Sequence, residues 1–412
     1  MERKLKDSGI PWIGMIPEHW EITQFKHHIA ICNGADYKKF ETERGYPVLG
    51  SGGVFAYSTQ YLYDGEAVLL GRKGTIDRPL YFSGRFWTVD TMFYAVPRIT
   101  SFCKYLYYLS LTIPFDYYKT STSVPSMTAS DLANHLLAFP PLAEQEAIAA
   151  YLDKKCGEID ELIEVEQQMI SDLESYRQSV ITETVTHGLD PDTPQKRSSI
   201  RGIEKIPANW NEVNLLKVIY LRARLGWRGL KAEEYVDDGY PFLSAFNIVN
   251  NQLIWNNLNF INKQRYDESP EIKLSLHDIL IVKDGAGIGK CARVEDMPLG
   301  ESTVNSSLGV ITVSEILYYS YLFYFFLSTP FQDNVLFLKN GMGVPHLTQE
   351  NLKTVRIPLP PVEEQKAIAN YLDAKCTEID DLIKVKQEKI ETLKQYRQSL
   401  IFEAVTGKTT IA

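Results

Sequence analysis

The sequence predicts an α+β protein in which two similar globular domains are separated by two long antiparallel coiled-coil helices. One long segment occurs twice, from Pro140 to Thr186 and from Pro360 to Thr406, without a gap and with more than half of its positions identical. The apolar residues of both copies have the spacing of a coiled coil. Strand and helix patterns are mixed in the residues before each copy. Together these observations indicate an internal duplication with pseudo-twofold symmetry.

The first globular domain is predicted over residues 1–139 and the second over residues 203–358, after a linker at 188–202. In the first domain "GEAVLLGRKGTI" and "VDTMFYAV" indicate strands, and "CKYLYYLSLT" indicates an apolar helix. The matching segments of the second domain are "HDILIVKDGAGIGKCARV", "SSLGVITV" and "ILYYSYLFYFFLS". "IPEHW" in the first domain recurs as "IPANW" in the second, and "YPVL" recurs as "YPFL". The two domains are therefore expected to share one scaffold.

The repeated segments are predicted to be a central helix, residues 140–187, and a C-terminal helix, residues 359–412. A Pro-Pro pair opens each copy, and Gly188 and Gly407 follow the copies. Between these signals we expect a continuous helix of about 43 residues, about 64 Å long. Spacings of three and four predict a seam along each helix. The seam positions are Leu152, Cys156, Ile159, Ile163, Glu166, Ile170, Leu173 and Val180, then Leu372, Cys376, Ile379, Ile383, Lys386, Ile390, Leu393 and Leu400.

Charge differences between the copies indicate which helices pair. Four glutamates of the first copy are matched by lysines in the second: Glu146, Glu164, Glu166 and Glu174 against Lys366, Lys384, Lys386 and Lys394. Pairing the first helix with the second brings opposite charges together, whereas like with like would repel. Glu166 and Lys386 lie near the middle of their helices, so an antiparallel pair is predicted to bring them into contact. A further partner is expected over apolar positions that flank the seams: Leu162, Tyr176, Leu382 and Tyr396.

The composition argues against several classes of protein. The chain is 44% hydrophobic and 23% charged, as soluble proteins are, and no run reaches the roughly 18 apolar residues that span a bilayer. Five widely spaced cysteines without a CxxC pair indicate reduced thiols in a cytoplasmic protein and no metal site. Motifs of serine hydrolases, zinc proteases, methyltransferases and helicases are missing, so we expect no catalytic residues.

The net charge of −9 is concentrated in one segment. Residues 140–199 carry 13 Asp+Glu against 5 Lys+Arg, and the rest of the chain is close to neutral. The globular domains can therefore hold local basic patches that bind nucleic acid.

The segment "DGAGIGKC", residues 284–291, resembles a phosphate-binding loop only in composition. The P-loop spacing requires glycine where Asp284 stands and a hydroxyl residue where Cys291 stands. We therefore predict a glycine-rich turn between two strands, matched by "GRKGTI" in the first domain. Lys283 and Lys290 beside this bare backbone are candidates for contact with a nucleic-acid phosphate.

Basic residues around turns and an aromatic side chain are the candidate DNA contacts. Arg can read guanine with two hydrogen bonds, and Lys and Arg bind phosphates. Two polar loops at equivalent places, residues 119–128 and 339–348, offer hydroxyl and backbone N–H groups. For any single residue, an ordinary solvated surface charge is the alternative. The candidates are Arg72, Lys73, Arg78, Lys119, Ser123, Arg222, Arg224, Trp227, Arg228, Lys231, Lys283, Lys290 and Lys339.

The double pattern resembles the DNA-specificity subunit of type I restriction-modification systems. The residues that carry the resemblance are "FPPLAEQEAIAAYLDKKCGEIDELI", residues 139–163, and "LPPVEEQKAIANYLDAKCTEIDDLI", residues 359–383. A "VPSMT" or "VPHLT" turn precedes each of them, and "IPEHW" and "IPANW" stand at the heads of the two halves. The match covers the whole chain in order.

This resemblance implies a non-catalytic subunit with two target-recognition domains. Each would read one half of a bipartite site on double-stranded DNA, and the helix pair would set the gap between the halves. The helices would also dock two methyltransferase subunits. S-adenosylmethionine, ATP and Mg²⁺ would then be bound by the methyltransferase and restriction/translocase subunits, not by this chain.

Two other readings compete with this one. A coiled-coil scaffold that tethers two protein-binding heads would have the same helices, but it would not need the basic, Trp-containing segment at residues 221–231. An enzyme of an unrecognised type would need titratable groups that converge in one cleft. Selective binding to DNA would separate the first reading from both.

Overall fold

The computed structural model describes residues 4–118, 125–223, 232–285, 287–338, 347, 351–352 and 354–411. The chain forms two compact units. Unit 1 contains Met1–Gln168 and Lys386–Ala412, and unit 2 contains Met169–Val385. Each unit therefore combines one globular domain with the start of the long helix that follows it and the end of the other long helix. In the described part of the chain, no helix is long and apolar enough to cross a membrane.

Unit 1 is built around a seven-stranded sheet. Its helices are α1 (Cys103–Ser110), α2 (Ala129–Asn134), the first part of α3 (Leu142–His187) and the end of the C-terminal helix α7 (Val362–Val405). Its strands are β1 (Leu5–Asp7), β2 (Met15–Pro17), β3 (Glu21–Gln24), β4 (Ile29–Asn33), β5 (Glu41–Thr42), β6 (Tyr46–Gly50), β7 (Gly53–Ser58), β8 (Tyr63–Gly71), β9 (Leu80–Thr88), β10 (Met92–Pro97) and β11 (Leu136–Phe139). The sheet has the order β4-β10-β8-β9-β6-β7-β5, and β6 pairs with β9 in parallel. Two small sheets pair β1 with β2 and β3 with β11.

The apolar run of β8 is buried on both faces of the sheet. Side chains alternate between the faces of a strand. Val68 and Leu70 belong to the main core together with Tyr105 of α1. Ala67 and Leu69 belong to a second cluster on the opposite face. Burial on both faces requires consecutive apolar residues in β8. This run is the pattern from which the strand was predicted.

Unit 2 has the corresponding elements. Its helices are the end of α3, then α4 (Lys263–Asp267), α5 (Tyr319–Leu327), α6 (Thr329–Leu338) and the first part of α7 (Val362–Val405). Its strands are β12 (Gln195–Arg197), β13 (Lys205–Pro207), β14 (Asn211–Asn214), β15 (Ile219–Arg222), β16 (Tyr240–Leu243), β17 (Ile248–Val249), β18 (Gln252–Leu253), β19 (Asn259–Ile261), β20 (Ile279–Val282), β21 (Cys291–Arg293), β22 (Thr303–Val304), β23 (Leu308–Val313) and β24 (Arg356–Leu359). The largest sheet has the order β15-β23-β20-β21, and a second has the order β19-β16-β22.

The two domains share one scaffold, as the sequence predicts. The order β4-β10-β8-β9 in unit 1 matches β15-β23-β20-β21 in unit 2. The "YPVL" strand β6 and the "YPFL" strand β16 each form one parallel pair, with β9 and β22 respectively. In β20, as in β8, alternate residues belong to different clusters: Ile279 and Ile281 to one, Leu280 and Val282 to the other. The α+β class and the internal duplication are confirmed.

Both long helices form as predicted and end at glycine. α3 has 46 residues and α7 has 44. Gly188 follows α3 with φ +83°, and Gly407 follows α7 with φ +71°. Glycine tolerates this left-handed conformation without a Cβ clash, so it ends a helix efficiently.

Within each unit, α3 and α7 run antiparallel. In unit 1, Asp160 pairs with Arg397 at 3.0 Å, and Glu166 pairs with Lys386 at 3.0 Å. A later residue of α3 thus meets an earlier residue of α7. In unit 2, Arg177 and Asp380 pair at 3.1 Å, which is the same contact with the copies exchanged. The seam residues named from the sequence are buried or half-buried in both helices.

Candidate functional sites

In unit 1 the predicted basic turn joins the antiparallel strands β8 and β9. It contains Arg72, which is partly buried, and Lys73 and Arg78, which are exposed. An added Cβ at Gly71 would lie 2.2 Å from Thr75 O, so the tight start of the turn requires glycine. A side chain at this position would push the turn away from the sheet.

Three stretches of backbone meet at this turn. Arg72 N donates to Thr91 O at 2.9 Å, and Met127 N donates to Arg72 O at 3.0 Å. Gly74 N donates to Pro125 O at 2.9 Å. The turn is therefore held between the segment before β10 and the end of the polar loop that the sequence analysis singled out. The structure brings together two candidate features that lie about fifty residues apart in the chain.

The guanidinium of Arg72 is held close to this meeting point. Its Nη1 donates to Asp90 O at 3.4 Å, and its central carbon lies 5.8 Å from the ring centre of Phe93. A side chain fixed in this way loses little conformational freedom when it binds a ligand.

Unit 2 contains the same arrangement. The described residues of the glycine-rich segment, 284–285 and 287–290, lie between the antiparallel strands β20 and β21, as predicted in place of a phosphate-binding loop. Lys283 N donates to Ser307 O at 2.8 Å, and Leu347 N donates to Lys283 O at 2.9 Å. Lys290 is exposed at the other end of the turn, where Val282 N donates to Lys290 O at 2.8 Å.

The two turns define equivalent positions in the two domains. The backbone N–H of Arg72 donates to the carbonyl of the residue before β10, and that of Lys283 donates to the carbonyl of the residue before β23. Each residue also accepts an N–H from the polar loop. We call these two arrangements the turn junctions. One carries a planar guanidinium and the other an ammonium, so the same backbone frame presents different chemistry in each domain.

The guanidinium of Arg222 is hydrogen-bonded to other residues of unit 2. Its Nη2 lies 2.7 Å from Asp278 Oδ2 and donates to Thr312 Oγ1 at 2.8 Å. Its Nη1 donates to the backbone oxygens of Lys273 at 2.9 Å and Glu271 at 3.3 Å. These contacts hold the guanidinium of Arg222 within unit 2.

The remaining predicted contacts fall outside the described residues. They are Lys119, Ser123, Arg224, Trp227, Arg228, Lys231 and Lys339.

The helices present apolar side chains beside their seams. In unit 1, Leu162 and Val165 are 48% and 49% exposed, and Tyr396 is 57% exposed. In unit 2, Tyr176, Leu382 and Val385 are 50%, 46% and 60% exposed. All of these except the two valines were predicted from the sequence, and each valine follows its leucine at the helical spacing of three. Leu162 and Val165 share one face of α3, and Leu382 and Val385 share one face of α7, because residues three apart are neighbours on a helix surface. Exposed apolar side chains grouped in this way are typical of a surface that binds a partner.

Fold and sites together define a duplicated recognition protein, with one basic turn junction in each domain and one pair of long helices. The chain belongs to the family described as the type I restriction modification DNA specificity domain, whose model matches residues 17–175 and 207–392. This confirms the family that the repeated motifs indicated.

Curated relatives carry the same description, and solved structures share the fold. The type I restriction enzyme MjaVIII specificity subunit of Methanocaldococcus jannaschii is 24% identical, over 96% of this chain and 94% of its own. The EcoKI specificity subunit of Escherichia coli is 28% identical over 50% of this chain and 44% of its own. A chain from a structure of the type I R-M system, solved for its assembly and conformational transition, has a TM-score of 0.72 and 17% identity. It covers 96% of this chain and 99% of its own length. The HsdS subunit of Thermoanaerobacter tengcongensis has a TM-score of 0.51 and 18% identity, over 96% and 98%.

Proposed function

We propose that this chain is the non-catalytic specificity subunit of a type I restriction-modification complex and that each domain reads one half of a bipartite DNA site. The observation that carries this proposal is the turn junction, which occurs once in each domain at an equivalent position. A protein that reads two different half-sites needs the same backbone arrangement in both domains with different side chains on it. Arg72 and Lys283 provide that difference.

The turn junctions have the chemistry to contact a duplex. Arg72 carries a planar fork that matches the two acceptors of guanine in the major groove. Lys73, Lys283 and Lys290 are suited to phosphates, whose contacts position a protein without reading sequence. Gly74 has open space where a side chain would stand, so its backbone can approach the sugar-phosphate chain closely.

The helices are proposed to set the gap between the half-sites and to dock two methyltransferase subunits. Leu162 and Val165 in unit 1 match Leu382 and Val385 in unit 2, so each unit offers one copy of the same apolar surface. Two equal surfaces suit two copies of one partner. Those subunits would bind S-adenosylmethionine, and restriction/translocase subunits would bind ATP and Mg²⁺. The complex would act in the cytoplasm, where the cell's DNA is.

Selection from random duplex DNA tests the proposal. The chain, assembled with the methyltransferase subunits of its own system, is expected to enrich two short sequences at a fixed separation. Binding of the selected duplex should weaken steeply with salt, because phosphate contacts release counterions. A complex that enriches no bipartite sequence contradicts the proposal and would favour a scaffold with protein-binding heads.

Replacing Arg72 with Ala tests whether this side chain reads a base. We expect binding of the selected duplex to weaken by about 1–3 kcal/mol and preference at one base pair of one half-site to relax, as for a lost bidentate contact. Fluorescence anisotropy on the selected duplex and its single-base variants measures both effects.

Lys154→Ala is the matched control, because it removes one positive charge from an exposed position on α3. It should leave base preference unchanged. A uniform loss across all duplexes for Arg72→Ala would identify a phosphate contact, and no loss would remove Arg72 from the interface.

A further inference from the structure

Each domain is fastened to the end of a long helix by one buried tyrosine. In unit 1 the hydroxyl of Tyr105 lies 3.2 Å from Ala138 O and 3.4 Å from Val405 O. Ala138 is in β11, which leads into α3, and Val405 is the last residue of α7. The hydroxyl thus bridges the strand that enters one helix and the last turn of the other, where carbonyls have no partner within the helix.

Unit 2 repeats the same bridge with its own residues. The hydroxyl of Tyr321 lies 3.0 Å from Pro358 O and 3.2 Å from Val185 O. Pro358 is in β24, which leads into α7, and Val185 is in the last turn of α3. Both tyrosine side chains are fully buried, and burial raises the pKa of both well above the usual value. The phenols therefore stay protonated and act as donors.

A tryptophan and a glycine add a second fastening beside each tyrosine. Trp20 Nε1 donates to Glu144 Oε1 at 3.1 Å in the first turn of α3. An added Cβ at Gly407 would lie 2.5 Å from Pro17 Cδ, so the end of α7 sits directly on the "IPEHW" segment.

The second domain has the same pair of contacts. Trp210 Nε1 donates to Glu364 Oε1 at 2.9 Å, and a Cβ at Gly188 would lie 3.2 Å from Trp210 Cζ2. The recurring segments "IPEHW" and "IPANW" therefore each pack against the end of one long helix and bind the first turn of the other.

Buried glutamines complete the attachment. Gln145 Oε1 accepts from Phe102 N at 3.0 Å, and its Nε2 donates to Pro140 O at 3.0 Å. Gln365 makes the matching bonds to Tyr318 N at 2.7 Å and Pro360 O at 2.8 Å. These bonds tie the start of each long helix to the segment that precedes α1 or α5.

We propose that these contacts fix the angle of each domain on its two helix segments and so decide which gap length the protein accepts, with Tyr105 and Tyr321 as positioning residues. This inference rests on the proposed function. One extra base pair moves a half-site by about 3.4 Å and turns it by about 34° around the DNA axis. A domain held rigidly cannot follow that movement, whereas a domain released from one helix end can.

The test compares gap lengths with the assembled complex. The probes are the selected duplex and versions with one base pair added to or removed from the gap. For the unmodified chain we expect affinity at least about tenfold lower on either altered gap, comparable to a mismatched base pair. With Tyr105→Phe and Tyr321→Phe together, this ratio should fall to about threefold or less, while base preference within each half-site stays the same.

Tyr266→Phe is the matched control, since Tyr266 is buried in unit 2 and lies away from both helices. A role limited to stability would reduce the active fraction for all duplexes equally and leave the gap ratio unchanged, and that result overturns the inference. If the double variant does not fold, Tyr105→Phe and Tyr321→Phe are measured singly against the same ratio. Failure of the unmodified complex to select any bipartite site would instead refute the proposed function.

Discussion

Replacing Glu166 with Lys is expected to lower the melting temperature by about 5–10 °C, a large effect for units of this size. Glu166 is 5% exposed within the helix seam. Its Oε1 lies 2.6 Å from Lys389 Nζ and its Oε2 lies 3.0 Å from Lys386 Nζ. The variant would bring three ammonium groups together at a place where one carboxylate now contacts two. Thermal unfolding followed by circular dichroism measures the loss.

Restoring the charges should restore the stability. Glu166→Lys combined with Lys386→Glu and Lys389→Glu keeps both opposite-charge contacts with their signs exchanged, so most of the lost melting temperature should return. Glu164→Lys is the control, because Glu164 is exposed two residues away. Losses that simply add in the triple variant would contradict a direct contact.

The hydrogen bonds from Lys389 and Lys386 hold the pKa of Glu166 below its usual value. A carboxyl with a lowered pKa stabilises the folded state above the pKa of the unfolded chain. That stabilisation is lost as pH falls through the lowered value. The difference in melting temperature between the unmodified chain and Glu166→Gln should therefore be present at neutral pH and shrink in acid.

The central contact also favours the pairing of α3 with α7. Asp160 with Arg397 and Arg177 with Asp380 use the same residue types in both copies, so these pairs would form equally well between two identical helices. Position 166 meets its own equivalent, 386, and two identical helices would bring like charges together there. Glutamate in one copy and lysine in the other therefore favour the pair of unlike helices.

The long helices and their seams could be predicted because their signals are local. Spacings of three and four, an opening Pro-Pro pair and a closing glycine all lie within the segment that they define. The Glu166–Lys386 contact followed from one further step, since equivalent positions near the centre of an antiparallel pair face each other. The strands β8 and β20 were recognised for the same reason, because four consecutive apolar residues buried on both faces leave a clear pattern.

The fastenings between domains and helices could not be predicted, because their partners are distant in the chain. Tyr105 and Val405 are 300 residues apart, and Trp20 and Glu144 are 124 apart. The signal was nevertheless in the sequence: Trp20, Glu144 and Gln145 recur as Trp210, Glu364 and Gln365. Recurrence marks them as part of the shared scaffold, but the sequence alone does not show which atoms they contact.

The contacts of Arg222 could not be predicted from its neighbours in the sequence. Its neighbours in sequence are basic, which suggested a nucleic-acid contact, but its side chain points to residues 49 to 90 positions away in the chain. A local cluster of charge gives no information on which cation faces solvent. In unit 2 the guanidinium of Arg222 pairs with the buried carboxylate of Asp278.

Replacing Arg222 with Ala is expected to destabilise unit 2 by about 3–5 kcal/mol, the cost of leaving a buried charge without its partner. The side chain of Asp278 is 1% exposed, and its remaining bonds are from Thr312 Oγ1 at 2.5 Å and Ser275 N at 2.9 Å. These two neutral donors cannot replace a guanidinium. Urea unfolding of the full chain, followed by a probe in unit 2, measures the change.

A second substitution separates this structural role from a DNA contact. Asp278→Leu in the Arg222→Met background removes both charges and should recover much of the lost stability, because an apolar pair does not leave a buried charge unpaired. If Arg222 instead contacted DNA, Arg222→Ala would weaken binding of the selected duplex while unfolding stayed unchanged. Lys290→Ala gives the reference for that pattern, since Lys290 is exposed at the turn junction of the same unit. Arg222→Ala should therefore lower the free energy of unfolding of unit 2, whereas Lys290→Ala should lower the affinity for DNA and leave unfolding unchanged.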